Sequence, residues 1–279
     1  MLDATTVVTE VLVPLQASQG DVLSRIQDDA LLSASLWANV ALAELSILLF
    51  AYMSRGVRAS RARLVFGATI LIPLVSLSSY LGLLSGLTVG LLEMPAGHAL
   101  AGEEVLSQWG RYLTWTLSTP LILLALGILA DVDRVDLGAV IAADVGMCIT
   151  GLAAALTTSA VAFRWAFYLV SCAFFAVVLY ALLVEWPDDA EAAGTGDIFG
   201  TLRVLTVVLW LGYPIVWAVG VEGLALVEST ALTSWGYSLL DIGAKYAFAY
   251  LLLSWVASNE STVQGAPSPG DAGASAVDD

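Results

Sequence analysis

Seven long apolar stretches constrain the fold of this chain more than any other feature of its sequence. They cover residues 31–53, 64–87, 109–130, 137–158, 163–186, 198–221 and 232–257. Each is long enough to cross the hydrocarbon core of a bilayer. Because that core holds no water to bind exposed backbone groups, an isolated span has to be helical. The sequence therefore predicts an all-α membrane protein, a bundle of seven transmembrane helices in the cell membrane.

These stretches divide the chain into three parts. Residues 1–28 form an N-terminal segment without the basic start and compact apolar block of a signal peptide, so a mature segment and a removable leader are both open. Residues 29–258 form the seven-helix domain, whose connections are short except for a structured loop over 88–108. Residues 259–279, rich in Ser, Gly, Pro, Ala and Asp, are predicted to be a disordered tail.

The distribution of arginine predicts the orientation. The first connection holds Arg55, Arg58, Arg61 and Arg63, whereas the connections on the opposite side hold none. Connections rich in positive charge stay in the cytoplasm. Seven spans then place the N-terminus outside the cell and the C-terminus inside, and the third and seventh helices both run from outside to inside.

The overall charge is strongly acidic, at −15, with the acidic residues concentrated in loops and tails. Such a surface disfavours nucleic acid, and together with the scarcity of lysine it resembles the surfaces of halophilic proteins. Cys148 and Cys172 lie in apolar stretches and are predicted to be buried small hydrophobes rather than a disulfide. One histidine and no CxxC motif argue against a metal site.

The single lysine, Lys245, lies near the middle of the last apolar stretch, roughly ten residues or 15 Å from either end. An isolated ammonium at that depth is costly, and ionisable groups there usually mark function. A desolvated lysine amine can form a Schiff base with a carbonyl compound. Asp241, four residues earlier on the same helical face, would neutralise the resulting iminium. The alternative is a structural pair that only holds helices together.

Three helical motifs resemble those of a known family. They are RYLTWTLSTP at 111–120, WLGYPIVW at 210–217 and LDIGAK at 240–245. In combination they resemble the microbial, type 1 rhodopsins across all seven spans, and most closely the haloarchaeal halorhodopsins. The resemblance implies all-trans retinal bound to Lys245 as a protonated Schiff base, with Asp241 as counter-ion. It also implies that isomerisation of one polyene double bond by light supplies the energy.

A pocket for this chromophore is predicted on facing helices. Trp210, Tyr213 and Trp217 recur on one face of the sixth helix, and Trp115 of the third helix faces them. Indole and phenol walls suit a flat polyene and restrict which bond rotates, although core packing alone also produces such stripes. With the positions that the resemblance adds, the predicted pocket comprises Trp115, Thr119, Met147, Gly151, Tyr168, Ser171, Trp210, Tyr213, Pro214 and Trp217.

The third helix distinguishes between the ions that such a protein could move. By the resemblance, Thr114 and Ala125 occupy the positions of the carboxylates that accept and return the proton in light-driven proton pumps. Neither side chain can take up a proton. Of the outer pair of glutamates that releases protons, Glu222 is retained and Thr233 replaces the other. Proton pumping by the usual route is therefore disabled.

Without that acceptor, the Schiff base and Arg111 bring two positive charges to a region where Asp241 supplies one negative charge. A mobile anion would balance them. Thr114 and Ser118, one turn apart on one helical face, offer hydroxyl donors. We expect chloride between the Schiff base, Ser118 and Thr114, with Arg111 and Asp241 as the outer charges. The alternative is that both hydroxyls only bond to backbone carbonyls of their own helix.

The predicted function is a light-driven pump that moves chloride into the cell, an ion transporter rather than an enzyme. Arg203 and Thr206 on the sixth helix are expected to line the release path, although Arg203 could equally be a positive-inside flank. The resemblance suggests homotrimers among membrane lipids, and a bound carotenoid is a further open partner. A photosensory rhodopsin that signals through a transducer, a light-driven proton pump and a seven-helix chemoreceptor without retinal are the alternatives.

Three further polar residues belong to no predicted site of their own. Glu44 lies inside the first apolar stretch without an obvious partner. By the resemblance, Asp144 lies near the retinal ring as a protonated acid hydrogen-bonded to the third helix. His98 in the second connection is expected to be solvated.

Overall fold

The computed structural model describes residues 13–264, within which seven helical spans are long and apolar enough to cross a membrane. Numbered 1 to 7 along the chain, the spans are Ala30–Gly56, Ser60–Leu84, Gly110–Ala130, Arg134–Leu156, Val161–Ala192, Gly196–Val219 and Thr230–Ser258. The predicted seven-helix fold is confirmed. Span 5 is longer than predicted because its helix continues past residue 186.

The helices follow the spans closely. They are α1 Val13–Asp28, α2 Ala30–Met53, α3 Ser60–Leu84, α4 Gly110–Ala130, α5 Arg134–Leu156, α6 Val161–Tyr180, α7 Trp186–Ala192, α8 Gly196–Val219, α9 Thr230–Asp241, α10 Phe248–Ser258 and α11 Glu260–Gln264. Two π-helical segments, Ala181–Glu185 and Ile242–Ala247, join α6 to α7 and α9 to α10. Consecutive spans pack side by side, and span 7 returns to span 1, which closes the bundle.

One end of the bundle, here called the hairpin face, carries the long second connection. Strands β1 Gly90–Glu93 and β2 Glu104–Ser107 pair antiparallel within that connection, which confirms the predicted structured loop. Helix α1 packs on the same face, with Val22 and Ile26 buried, and Arg25 forms a 3.3 Å salt bridge to Glu104. Part of the N-terminal segment is therefore a docked helix, while residues 1–12 lie outside the described residues.

The expectation of a solvated His98 is wrong. Its side chain is 6% exposed, and its Nδ1 accepts a hydrogen bond from the Leu100 backbone N–H at 3.1 Å. Burial, followed by the nearby charge of Arg164, lowers the pKa of His98 below its usual value. The hairpin folds the imidazole inward against the bundle, so a loop position did not imply exposure.

The outer surface of the spans is apolar, as a lipid-facing surface requires. Leu45 and Leu48 of span 1 are 62% and 69% exposed. Glu44 of the same helix is exposed as well. Cys148 and Cys172 are both free, the first buried and the second half-buried. Charged side chains such as Asp241 instead lie inside the bundle.

The opposite end, here called the arginine face, carries the first connection. Arg61 donates to Asp131 Oδ1 at 2.7 Å and to the carbonyl oxygen of Ile128 at 2.9 Å, which fastens span 2 to the end of span 3. Glu260 Oε2 accepts from the backbone N–H groups of Arg58 and Ala59, both at 2.9 Å. These two groups precede helix α3, where a carboxylate also interacts favourably with the helix dipole.

The first part of the predicted disordered tail is helical. Residues 260–264 form α11, and Val263 is 4% exposed because it packs into the main hydrophobic cluster. Residues 265–279 lie outside the described residues, so the prediction of disorder there is untested.

Replacing Glu260 by Gln should lower the thermal midpoint at pH 7, because the charged acceptor of the Ala59 and Arg58 N–H groups is lost. Those two hydrogen bonds lower the pKa of Glu260 in the folded protein. Its contribution is therefore complete above the ordinary Glu pKa of about 4.3 and is lost as the pH falls through the lowered value.

Thermal midpoints of both proteins across this pH range test the expectation, with Glu228→Gln, an exposed change on the hairpin face, as control. The difference between parent and Glu260→Gln should disappear in acid. A difference that stays constant with pH would contradict it.

Candidate functional site

A buried ion pair lies at the middle of span 7. Lys245 Nζ is 3.0 Å from Asp241 Oδ1, and the two side chains are 1% and 3% exposed. The lysine belongs to the π-helical segment that follows Asp241 directly. Tyr80 of span 2 donates to Asp241 Oδ2 and Tyr213 of span 6 to Oδ1, both at 2.7 Å. The predicted pair is therefore formed, and two hydroxyls from other spans hold its carboxylate.

A second cation, Arg111 of span 3, is buried beside this pair at 3% exposure. Its guanidinium donates to Gln108 Oε1 at 2.7 Å, to Ser234 Oγ at 2.8 Å and to Tyr80 Oη at 3.1 Å. Since Tyr80 also donates to Asp241, one phenol connects the two charged groups. The network therefore contains two basic groups and one carboxylate, an excess of positive charge. Charges interact strongly in a low-dielectric interior.

Thr114 and Ser118 of span 3 are buried one turn apart. The Thr114 hydroxyl contacts the Ser79 hydroxyl of span 2 and lies 3.0 Å from the carbonyl oxygen of Gly110 in its own helix. Ser118 Oγ has no hydrogen-bond partner in the described part of the chain. A bond to a backbone carbonyl of its own helix thus explains part of the hydrogen bonding of the Thr114 hydroxyl and none of that of Ser118. A buried hydroxyl without a partner is costly, so Ser118 offers a donor to a ligand.

An apolar cavity lies between spans 3 to 7, and all ten residues of the predicted pocket line it. The wall is built from aromatic side chains. Trp115 meets Tyr213 edge to face at 5.1 Å between ring centroids, and Tyr168 stacks on Trp217 at 4.7 Å. Interlocked rings of this kind form a rigid wall for a flat apolar ligand. Tyr213 both lines the cavity and donates to Asp241, so the cavity meets the ion pair at this residue.

Further side chains line the cavity that the sequence did not assign to it. They are Tyr112, Cys148, Ala154, Cys172, Phe175 and Tyr237. A signal for five of them was available, because each lies three or four residues from a predicted pocket residue of its own helix. The neighbours are Trp115 for Tyr112, Gly151 for Cys148 and Ala154, Tyr168 for Cys172, and Ser171 for Phe175. Tyr237 carried no such signal, since its facing residues come from other spans.

A smaller, polar cavity lies on the hairpin side of Arg111. Gln108, Glu222, Thr233 and Ser234 contribute its polar lining together with Arg111 and Thr230. The Glu222 carboxylate accepts from Ser107 Oγ at 2.7 Å and from Tyr112 Oη at 3.0 Å. This cavity and the apolar one share Tyr112, Trp115, Trp217 and Tyr237, so one aromatic layer separates them.

The predicted release residues lie in the half of span 6 nearer the arginine face. Thr206 is 1% exposed and its hydroxyl has no hydrogen-bond partner among the described residues. Arg203 is half-buried, and its Nε likewise has no partner there. Asp144 accepts from Thr119 Oγ1 of span 3 at 2.6 Å, which confirms the predicted contact with the third helix. Its protonation remains a prediction.

A seven-helix bundle of membrane-spanning length has its only lysine in a buried ion pair. Tyr213 joins that pair to an aromatic cavity, and this combination defines a class of protein. The sequence profile of the bacteriorhodopsin-like protein family matches residues 30–259, and the chain belongs to that family.

Within that family the chain is similar to halorhodopsins. It is 76% identical to a halorhodopsin of Haloterrigena sp. (strain arg-4) over 242 residues, which cover 87% of this chain and 82% of the relative. A solved structure described as halorhodopsin, a light-driven chloride pump, superposes with a TM-score of 0.84 at 72% identity, covering 85% of this chain and 99% of the other.

A light-driven proton pump from Leptosphaeria maculans shares the fold less closely. Its TM-score is 0.74 at 27% identity, over 82% of this chain and 96% of the other. Since a proton pump has the same fold, the bundle by itself does not select the ion. The residues inside it must do so.

Replacing Asp241 by Asn should destabilise the retinal-free protein by about 3–5 kcal/mol, because it leaves a buried ammonium without its counter-charge. Asp144→Asn is the matched control: Asp144 is equally buried, but it takes part in no ion pair among the described residues. We expect the control to lose about 1 kcal/mol or less. Unfolding titrations in mixed detergent measure both, and equal losses would contradict the role of the ion pair.

Proposed function

We propose that this protein is a light-driven pump that moves chloride into the cell, with all-trans retinal as its chromophore. The observation that carries the proposal is the composition of span 3. Thr114 and Ala125 provide no carboxylate for proton transfer, while Ser118 presents a buried hydroxyl that has no hydrogen-bond partner within residues 13–264. The similarity to halorhodopsins supports the same function.

The apolar cavity suits retinal, and Lys245 is the residue to bind it as a Schiff base. It is the only lysine, and its carboxylate partner Asp241 is bonded to the cavity wall through Tyr213. When bound, retinal absorbs visible light and isomerises about one double bond, which re-aims the imine N–H. Asp241 balances the positive charge at that nitrogen, and Tyr80 and Tyr213 keep the carboxylate in place.

Chloride binding follows from the charge balance. With Lys245 cationic as an imine and Arg111 always charged, Asp241 neutralises only one of two positive charges. A halide ion held by Ser118 Oγ and Thr114 Oγ1 would supply the second negative charge. The Thr114 hydroxyl carries one proton, so it would bind the halide by turning that proton from the Gly110 carbonyl or Ser79 towards the ion.

The proposed inward movement of chloride is described relative to the predicted orientation of the bundle in the membrane. The four arginines of the first connection place the arginine face in the cytoplasm, so the hairpin face and the N-terminus are extracellular. Chloride would enter through the polar cavity beside Arg111 and leave past Thr206 and Arg203. Movement of one charge against 100 mV costs about 2.3 kcal/mol, far less than the energy of a visible photon.

The same residues also bear on the three alternative functions. A proton pump needs a carboxylate that can take up the Schiff-base proton, and positions 114 and 125 hold threonine and alanine. Sensory relatives that signal through a transducer usually keep an acid at the position of Thr114. In a chemoreceptor without retinal, Lys245 would be the counter-ion of a ligand, and hydroxylamine would leave the visible spectrum unchanged.

We further propose that the protein forms a homotrimer in the membrane. Span 1 exposes Trp37, Leu45, Leu48 and Tyr52, an apolar surface that either lipid or another copy can cover. Cross-linking in native membranes followed by mass analysis distinguishes a trimer from a monomer.

The pump hypothesis is tested by illumination of sealed cells in chloride and in sulfate. Inward chloride movement makes the interior more negative and draws protons in passively. We expect the external pH to rise in chloride, to rise further with a protonophore, and to remain unchanged in sulfate. External acidification abolished by the protonophore would instead establish proton pumping.

Cells that carry the Lys245→Ala variant are the control for this experiment. They should be colourless and inactive, since no amine remains to bind retinal. Visible absorbance in that variant without added amine would refute the linkage to Lys245.

Thr114→Asp tests the anion site. A carboxylate there should repel chloride and weaken its binding by about tenfold or more, equivalent to about 1.4 kcal/mol, and favour outward proton movement. Thr114→Ser keeps the hydroxyl and should retain the affinity. Titration of the visible absorption band with chloride measures both, and an unchanged titration in the Asp variant would count against the site.

A further inference from the structure

Arg164 is a buried cation that the proposed pump mechanism does not use. It lies at the start of span 5 and is 1% exposed. Nη1 donates to the carbonyl oxygens of Ala155 and Thr157 at 2.9 and 2.8 Å. Nε and Nη2 both donate to the carbonyl oxygen of Glu222, at 3.1 and 2.7 Å. All four bonds go to backbone carbonyls, and none of the salt bridges among the described residues includes Arg164.

The guanidinium lies directly behind the aromatic wall of the apolar cavity. Arg164 Cζ is 5.8 Å from the ring centroid of Trp217, and Trp217 lines the cavity. Tyr168 stacks on the same indole and also lines the cavity. A ligand in van der Waals contact with the edge of this indole would be about 10 Å from the charge. Only aromatic, poorly screening material then separates the charge from the ligand.

Arg164 belongs to the end of the cavity that is remote from Lys245. The lysine approaches from span 7, beside Tyr213. Residues of spans 4 and 5, such as Gly151 and Ser171, line the opposite wall. An elongated ligand tethered to Lys245 thus has its far end on the side where Arg164 lies.

One acidic group accompanies the cation at this end. Glu222 accepts hydrogen bonds on both carboxylate oxygens, from the hydroxyls of Ser107 and Tyr112. Its backbone carbonyl is the group that Arg164 binds. Arg164 and Glu222 therefore set opposite charges at the same end of the cavity without a direct ion pair between them.

We propose that Arg164 determines the wavelength at which this protein absorbs, by opposing the movement of positive charge in the excited chromophore towards its far end. The inference rests on the proposed retinal linkage at Lys245. In a polyene with a positive charge at the imine nitrogen, excitation moves part of that charge along the chain away from the nitrogen. A fixed cation at the far end raises the energy of the excited state more than that of the ground state. Absorption is therefore shifted to shorter wavelength.

The test is the absorption maximum of Arg164→Gln and Arg164→Lys, reconstituted with all-trans retinal at saturating chloride so that the anion site is filled in each. We expect Gln to shift the maximum to longer wavelength, because a unit charge at about 10 Å acts strongly through a poorly screening interior. Lys keeps the charge and should remain close to the parent. An unchanged maximum in the Gln variant, a shift to shorter wavelength, or equal shifts for Gln and Lys would overturn the proposal.

A second variant tests the same proposal independently if Arg164→Gln does not fold. Glu222→Gln removes the negative charge from the same end and should shift the maximum in the opposite direction, to shorter wavelength. General loosening of the pocket would not give opposite signs for the two changes. No shift or a shift to longer wavelength in Glu222→Gln would overturn the proposal. A parent protein that forms no pigment would instead refute the retinal linkage itself.

Discussion

The carboxylate of Asp241 is the group on which the arrangement of the site depends. It pairs with Lys245 and accepts from Tyr80 and Tyr213, and through Tyr80 it reaches Arg111. Spans 2, 3, 6 and 7 therefore meet at a single buried negative charge. Because a dry interior tolerates unbalanced charge poorly, the excess of one cation in this network favours the binding of an anion.

The fold of the bundle does not by itself determine which ion is transported. A proton pump shares the seven-helix bundle with a TM-score of 0.74, so helix packing provides the cavity and the lysine position without selecting what moves. Selection falls to a few side chains of span 3. A carboxylate at position 114 would complete the charge balance with a group that can take up a proton, whereas Thr114 leaves the balance to a mobile ion.

Positions that repeat along one helix were predictable, and contacts between helices were not. Trp210, Tyr213 and Trp217 lie on one face by helical periodicity alone, and they do line the cavity. The contacts of Ser79 and Ser234 depend on how neighbouring helices are rotated and shifted along their axes, for which the sequence carries no comparable local pattern. His98 was mispredicted for the same reason, because its hairpin folds back onto the bundle.

The number of spans, the lone lysine with its acidic neighbour and the lack of carboxylates at positions 114 and 125 could be read from the chain, because they depend only on residue type and helical spacing. The three-dimensional packing was needed to show that the Ser118 hydroxyl has no partner among residues 13–264, that Arg164 lies beside Trp217, and that residues 260–264 dock as a helix. These are contacts, or missing contacts, between groups far apart in sequence. They are settled by the packing of seven helices against one another, which buries each group or leaves it free.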